Sequence, residues 1–221
     1  MLKPCPVNHN GMEFSTLFNI KESLTEPTKK ACIYAGFFIS SVKISFILNK
    51  LNTTMQDQWK TNTHQRQCIV SFSGGKDSSL ALYHTMQTGK ATGLIVMLEE
   101  QGQRSRSHAM PLDIIQAQAD AIGLPIFMAS SSWADYENKF IELLQQAKQQ
   151  GAEVLVTGDL DMPKYGCWHD RVTQQVGLKL GMPLWLRPHR EVVEEFIKLG
   201  FRSVIVTVNL KLGMQVDDLG K

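Results

Sequence analysis

Short apolar runs alternate with helical patterns along residues 68–208, and this alternation constrains the fold more than any other feature of the sequence. Segments with apolar residues every three or four positions separate runs of strand length. Strands that alternate with helices favour an α/β fold: a doubly wound, mostly parallel sheet, covered on both faces and joined by right-handed crossovers. Six strands are predicted, at residues 68–72, 92–98, 125–129, 153–157, 182–186 and 203–208.

Two of the helical segments carry distinct signals. Trp133, Tyr136 and Phe140 recur at spacings of three and four, which predicts a helix over residues 133–150 with these rings in the core. The alternative is that Trp133 and Tyr136 form a stacking platform for a ligand. The segment PLDIIQAQADAIG opens with a proline and closes with a glycine, which is the capping asymmetry of a helix.

The order of the strands decides where a ligand binds. If the first three strands wind in one direction and the fourth lies on the other side of the first, the order is 3-2-1-4-5 and a crevice opens between strands one and four. Ligands of open α/β sheets bind in such a crevice, beyond the carboxyl ends of the strands. The loops SGGKDS (73–78) and TGDLD (157–161) would meet there, so Gly158 and Asp159 should face the first loop.

The glycine loop after the first strand has the chemistry of a phosphate site. Gly74 and Gly75 allow backbone N–H groups to approach an anion, and the following helix points its positive end at the same place. Lys76 adds a full positive charge, and Asp77 fits a Mg²⁺ ion carried by the phosphates. Hydroxyl donors are offered by Ser73, Ser78 and Ser79. The alternative is that these serines only cap the helix.

Two common phosphate loops are excluded by spacing. A Walker A loop needs a glycine where Val70 stands and a Ser or Thr where Asp77 stands. A dinucleotide-binding loop needs three spaced glycines, whereas this loop has two adjacent ones.

Charge and cysteine content narrow the function classes. Residues 67–221 carry 15 Lys and Arg against 17 Asp and Glu, so this part is slightly acidic, which argues against DNA and makes tRNA an unfavoured partner. The four cysteines are far apart and form no C-x-x-C, so neither zinc nor a disulfide framework is indicated. Reduced thiols predict a cytoplasmic protein.

Residues 1–66 differ from the rest and are predicted to be a poorly ordered N-terminal extension, with the body at residues 67–221. The apolar run 31–48 approaches the length of a membrane span, but Lys43 interrupts it, so a membrane anchor is not expected. Met55 is an alternative start of translation.

The sequence SGGKDS directly after a strand resembles the PP-loop of ATP pyrophosphatases, which cleave ATP between its α and β phosphates. Three further segments, at residues 105–127, 154–185 and 196–209, are similar to the diphthine–ammonia ligase family. The signs that carry this resemblance are Ser107-His108, Gln118-Ala119, Gly158-Asp159 and Pro183-Leu184-Trp185. It implies an adenine nucleotide alpha hydrolase-like fold of the HUP type.

The resemblance also implies an activity. An amide-forming carbon–nitrogen ligase of this family would use ATP to adenylate a carboxylate, and ammonia would then displace AMP. Residues 73–79 would hold the β and γ phosphates, Lys76 and Mg²⁺ would offset charge on the leaving pyrophosphate, and Asp77 would help place the metal. Gly158 and Asp159 would support the metal or the ribose. His108 is expected to donate to the α-phosphate or the substrate, or to be a solvated loop residue.

The family continues into a second portion with a Gly-Glu-Asn-Gly-Glu-Phe-His type segment, which this sequence does not contain. We therefore expect the nucleotide half to be complete and the C-terminal acceptor portion to be missing. Two other functions stay open: an ATP-binding module with little turnover, and a tRNA-modifying PP-loop enzyme. The acceptor, a protein side chain or a small molecule, and a homo-oligomeric state are also left open.

Overall fold

A parallel sheet forms the centre of the molecule. The computed structural model of the chain describes residues 57–161, 167–206 and 208–221. Within these ranges, five strands form one sheet in the order β3-β2-β1-β4-β5, and every neighbouring pair is parallel. The predicted α/β class and strand order are confirmed. The strands are β1 (Gln67–Ser71), β2 (Lys90–Leu98), β3 (Ile126–Ser130), β4 (Val154–Val156) and β5 (Lys179–Gly181).

Helices cover both faces of this sheet. They are α1 (Lys76–Thr88), α2 (Leu112–Ile122), α3 (Tyr136–Gln149), α4 (Trp168–Val176) and α5 (His189–Lys198). Successive residues of β1 point into opposite cores: Ile69 packs with the residues of α3 and α4, whereas Val70 packs with those of α1 and α2. Burial on both faces explains why the strands read as continuous apolar runs rather than alternating ones.

Two predicted strands are wrong. Strand five lies at Lys179–Gly181 rather than 182–186, because it pairs with the three residues of β4 and begins directly after α4 ends at the left-handed Gly177. Leu184 is fully buried against α1 and α5. The apolar residues 182–186 therefore reflect a buried turn rather than a strand. Among the described residues of 203–208 there is no strand, and Val204 and Val206 are exposed.

The segment before β1 packs on the body. Residues 57–63 are helical, with Trp59 and Thr63 buried. The Trp59 ring contacts His84 of α1, and the hydroxyls of Thr63 and Thr88 are 2.8 Å apart. Residues Met55–Lys221 group as one compact unit. The predictions for residues 1–56, including the apolar run 31–48, lie outside the described residues.

Helix α3 begins three residues later than predicted. Trp133 therefore lies on the preceding turn and is 57% exposed, so its prediction as a core residue is wrong. Tyr136 opens the helix and stacks on the buried Phe140, as predicted. In the described part of the chain, no helix has the length and apolar character needed to cross a membrane.

Candidate functional site

The central strands bring two loops together at the carboxyl edge of the sheet. β1 and β4 are neighbours, so the loop after each strand opens into the same crevice. Gly158 lies directly against the first turn of α1: a Cβ at this position would sit 2.7 Å from the carbonyl carbon and oxygen of Asp77 and 2.9 Å from the nitrogen of Ser78. The two loops meet, as the strand order predicted.

Hydrogen bonds made by Ser73 and Ser78 hold the glycine loop in its conformation. The Ser78 hydroxyl donates to the Gly75 carbonyl at 3.0 Å and accepts from the Ser73 N–H at 3.3 Å. Gly74 has a φ of 76°, in the left-handed region that glycine adopts at little cost. No side chain caps α1, whose N-cap is Gly75. The N–H groups of the first turn therefore remain available to a ligand, which argues against a purely capping role for the serines.

Lys76 and Asp77 form an ion pair at the mouth of the loop. The Lys76 Nζ lies 2.7 Å from both carboxylate oxygens of Asp77, and the two side chains are 39% and 35% exposed. Both groups are thus accessible to an anion and its counter-ion. Ser79 lies within the helix, where its N–H donates to the Gly75 carbonyl, so its backbone is committed to α1.

The loop after β2 and helix α2 form a wall over the glycines. A Cβ on Gly75 would lie 2.7 Å from Nε2 of His108, so the imidazole rests on this glycine. Burial against the loop lowers the pKa of His108, with Asp77 raising it and Lys76 lowering it further. Gln118 on α2 reaches Gly74 in the same way, with its Oε1 2.6 Å from a Cβ there, and this oxygen is buried without a hydrogen-bonding partner.

Asp159 lies on the other side of the crevice. Its side chain is 41% exposed, and its Oδ2 is 3.4 Å from Nε2 of His169, a buried residue in the first turn of α4. Burial raises the pKa of Tyr136 to about 12, with Asp159 raising it and Arg106 lowering it. Tyr136 is therefore a neutral hydroxyl within electrostatic reach of both charges.

Every residue predicted for the site lies on one of these two loops, on the first turns of α1 or, for His108, on the wall above them. Two contributors, Gln118 and His169, were not predicted as site residues. Gln118 stands between the buried Ile115 and Ala119 on α2, and a polar residue beside such neighbours is a usable signal. His169 gives no comparable signal, because its partner Asp159 lies ten residues earlier in the sequence.

A resident metal centre does not fit this site. Among the described residues, no three His, Cys, Asp or Glu side chains cluster in a way that would hold a metal ion. Mg²⁺ commonly binds through one or two carboxylates plus the oxygens of a phosphate. Asp77 suits an ion that arrives already bound to a nucleotide.

Comparisons with known proteins bear on the family. Residues 66–180, just over half of the chain, match the family profile described as the diphthamide synthase N-terminal domain. No curated protein matches the chain. A solved structure from Methanocaldococcus jannaschii, titled as a predicted subunit of a tRNA methyltransferase, is 15% identical with a TM-score of 0.40 over 59% of this chain and 75% of its own. That likeness is too slight to bear on function.

The matched region contains the glycine loop, the wall above it and the loop after β4. The chain belongs to the diphthamide synthase N-terminal domain family, and with its PP-loop it is a member of the PP-loop ATP pyrophosphatase superfamily.

Proposed function

We propose that this protein is an ATP-dependent ligase that activates a carboxylate by adenylation and converts it to an amide with ammonia, releasing AMP and pyrophosphate. The observation that carries this proposal is the contact of Gly158 with the first turn of α1. It sets the glycine loop, with its uncapped helix N-terminus, against the carboxylate loop after β4. MgATP is the substrate, and the cytoplasm is the proposed location.

The glycine loop supplies the binding of the outer phosphates. Backbone N–H groups of Gly75, Lys76 and Asp77 at the start of α1 would donate to the β and γ phosphates. Lys76 would leave its ion pair with Asp77 to neutralise the departing pyrophosphate, while Asp77 would turn to the magnesium of MgATP. Each member of the pair thereby exchanges one partner of opposite charge for another.

The reaction would proceed in two substitution steps. An oxygen of the acceptor carboxylate attacks the α-phosphorus, the bond from this phosphorus to the bridging oxygen breaks, and pyrophosphate leaves. The nitrogen of ammonia then attacks the acyl carbon, AMP leaves with the electron pair of the acyl–oxygen bond, and the nitrogen releases one proton to water. The neutral His108, resting on Gly75, would donate a hydrogen bond to the α-phosphate oxygens as charge builds on them.

The test is pyrophosphate release from MgATP, measured with and without ammonia and candidate carboxylates. Lys76→Ala and Asp77→Ala are expected to slow release on the order of 10²- to 10³-fold, because each removes a charge that acts on the leaving group. Lys90 opens β2 and Glu153 directly precedes β4, so both exposed charges lie at the amino edge of the sheet, opposite to the crevice. Lys90→Ala and Glu153→Ala therefore serve as matched controls. Unchanged turnover in both site variants would contradict the proposal.

A nucleotide-binding module with little turnover predicts a different result. Such a protein would bind ATP through the same loop, and Lys76→Ala would still weaken binding. Pyrophosphate would not appear with any carboxylate. Calorimetric titration of ATP alongside the release assay therefore separates the two functions.

A further inference from the structure

The carboxylate of Asp159 lies beside a buried histidine, His169, which takes no part in the proposed reaction. The side chain of His169 is 9% exposed, and its Nε2 lies 3.4 Å from Oδ2 of Asp159. The ring of Trp168 packs edge-on against the imidazole, with the two ring centroids 5.1 Å apart. The His169 backbone is also tied into α4, since its carbonyl accepts from the Thr173 hydroxyl at 2.7 Å.

The position of the imidazole proton follows from these contacts. A deprotonated Nε2 would place a nitrogen lone pair against the oxygen lone pairs of Asp159, which is repulsive. We therefore expect the proton on Nε2, the nitrogen that lies 3.4 Å from the carboxylate. The second ring nitrogen, Nδ1, is buried without a hydrogen-bonding partner. Burial lowers the pKa of His169, against the opposing pull of Asp159 and Asp170, so the ring is neutral.

This arrangement sets one oxygen of Asp159 3.4 Å from the imidazole and leaves its side chain 41% exposed. A carboxylate oriented by a neutral N–H donor is a fixed acceptor, and such supporting hydrogen bonds commonly tune the groups that contact a ligand. Nucleotides offer hydroxyl donors of the matching kind: the ribose hydroxyls and the waters bound to Mg²⁺. Both are O–H groups that a carboxylate accepts well.

We propose that His169 is a positioning residue, whose Nε2–H fixes the Asp159 carboxylate so that it accepts a hydrogen bond from an O–H group of bound MgATP. The inference rests on the proposed function, because it assumes that a nucleotide occupies the crevice. His169 itself does not touch the ligand. It acts through Asp159 by removing the rotational freedom of that side chain before binding.

The hydrogen bond is tested without any nucleotide. Protein labelled with ¹⁵N-histidine is expected to show His169 as the neutral Nε2–H tautomer in long-range proton–nitrogen spectra. Asp159→Ala should change the His169 nitrogen shifts, because the acceptor is lost. A His169 ring protonated on Nδ1 alone, or one insensitive to Asp159→Ala, would overturn the inference whatever the protein binds.

The role in binding is tested by a double-mutant cycle on the affinity for MgATP with a methylene bridge between the α and β phosphates, which resists cleavage. His169→Phe fills the site without a donor and is expected to weaken binding about 3- to 10-fold, the usual range for one hydrogen bond. His169→Gln keeps an N–H at a similar reach and should bind nearly as the wild type does. In the Asp159→Ala background, His169→Phe should have no further effect.

A control and two further probes complete the design. Val176→Ala removes buried methyl groups at the far end of the same helix, so it should lower the melting temperature without changing affinity. Discrimination against 2′- or 3′-deoxy nucleotides that disappears in Asp159→Ala identifies a ribose hydroxyl as the donor. A changed dependence on magnesium concentration instead identifies metal-bound water.

Two outcomes would overturn the role in binding. Equal affinity of His169→Phe and wild type would do so, as would losses that add in full in the double mutant. Failure of the wild type to bind any nucleotide would overturn the proposed function together with this role, and the tautomer spectra would still report separately on the hydrogen bond.

Discussion

A single glycine sets how closely the two loops of the crevice approach. The space that a side chain would take at Gly158 is occupied by the backbone of Asp77 and Ser78. These atoms cannot move without disturbing the first turn of α1. Gly75 is also crowded, but by the imidazole of His108, a side chain that can rotate. An added Cβ would meet its nearest atom at 2.7 Å at both glycines. At Gly158 backbone would have to shift, whereas at Gly75 a side chain could rotate away.

This difference predicts unequal costs for alanine at the two positions. Gly158→Ala should lower the free energy of unfolding by about 1–3 kcal/mol, the range for overpacked sites, because backbone must shift. Gly75→Ala should cost less, since His108 can turn into solvent. Urea unfolding monitored by circular dichroism measures both values. Equal losses, or a larger loss for Gly75→Ala, would contradict the assignment of the tighter contact to Gly158.

At the scale of elements, the helical residues 57–63 pack against the α/β sheet domain. The buried Trp59 packs against His84 of α1, and the amide of Asn62 donates to the Leu180 carbonyl of β5 at 2.7 Å. The segment thus bridges the helix that carries the phosphate loop and an edge strand. We propose that the body begins at this helix and that the residues before it form the extension.

Removing the buried indole should uncouple this helix from the body. Trp59→Ala is expected to lower the free energy of unfolding by about 3 kcal/mol, as for other buried aromatic residues. Lys60→Ala removes an exposed neighbour whose ion pair with Asp57 lies at the surface, and it should change stability by well under 1 kcal/mol. Chemical denaturation of the full chain compares the two. Similar small effects would show that the helix contributes nothing to the body.

At the scale of the whole molecule, three histidines connect stability to pH. Burial lowers the pKa of His84, His108 and His169 in the folded protein. The unfolded chain takes up these protons near pH 6.5, its ordinary value, and the folded chain only at lower pH. As pH falls through about 6.5, the unfolded state binds more protons, so the free energy of unfolding decreases.

The melting temperature should therefore fall between pH 7.5 and pH 5.5. His84 lies between Trp59 and Glu195, with its Nε2 3.2 Å from the carboxylate. His84→Gln removes one of the three titrating groups and should reduce the fall. Differential scanning calorimetry across this range measures the slope. A melting temperature that rises on acidification would contradict the sign.

Much of the fold could be predicted because each strand carries its own local pattern. The runs at 68–72 and 92–98 became β1 and β2. The order 3-2-1-4-5 was predicted as the arrangement that opens a crevice between strands one and four, and the sheet confirms it. The run at 182–186 was misleading, because apolar residues in a buried turn and in a buried strand look the same in sequence.

The candidate site likewise has a part that the local sequence predicts and a part that it does not. Ser73, Gly74, Lys76 and Asp77 could be proposed as site residues because adjacent residues of one loop match a known phosphate-binding pattern. That the exposed His108 contacts this loop could not be predicted from its neighbours in sequence. The answer depends on how the loop after β2 folds back over Gly75.

By itself, the sequence determined the alternation of strands and helices and the glycine loop before α1, because these follow from residues close together in the chain. Only the tertiary structure decided the contact of Gly158 with Asp77 and the pairing of His169 with Asp159. Such contacts join residues brought together by helix and strand packing, where a displacement of one ångström separates a hydrogen bond from none.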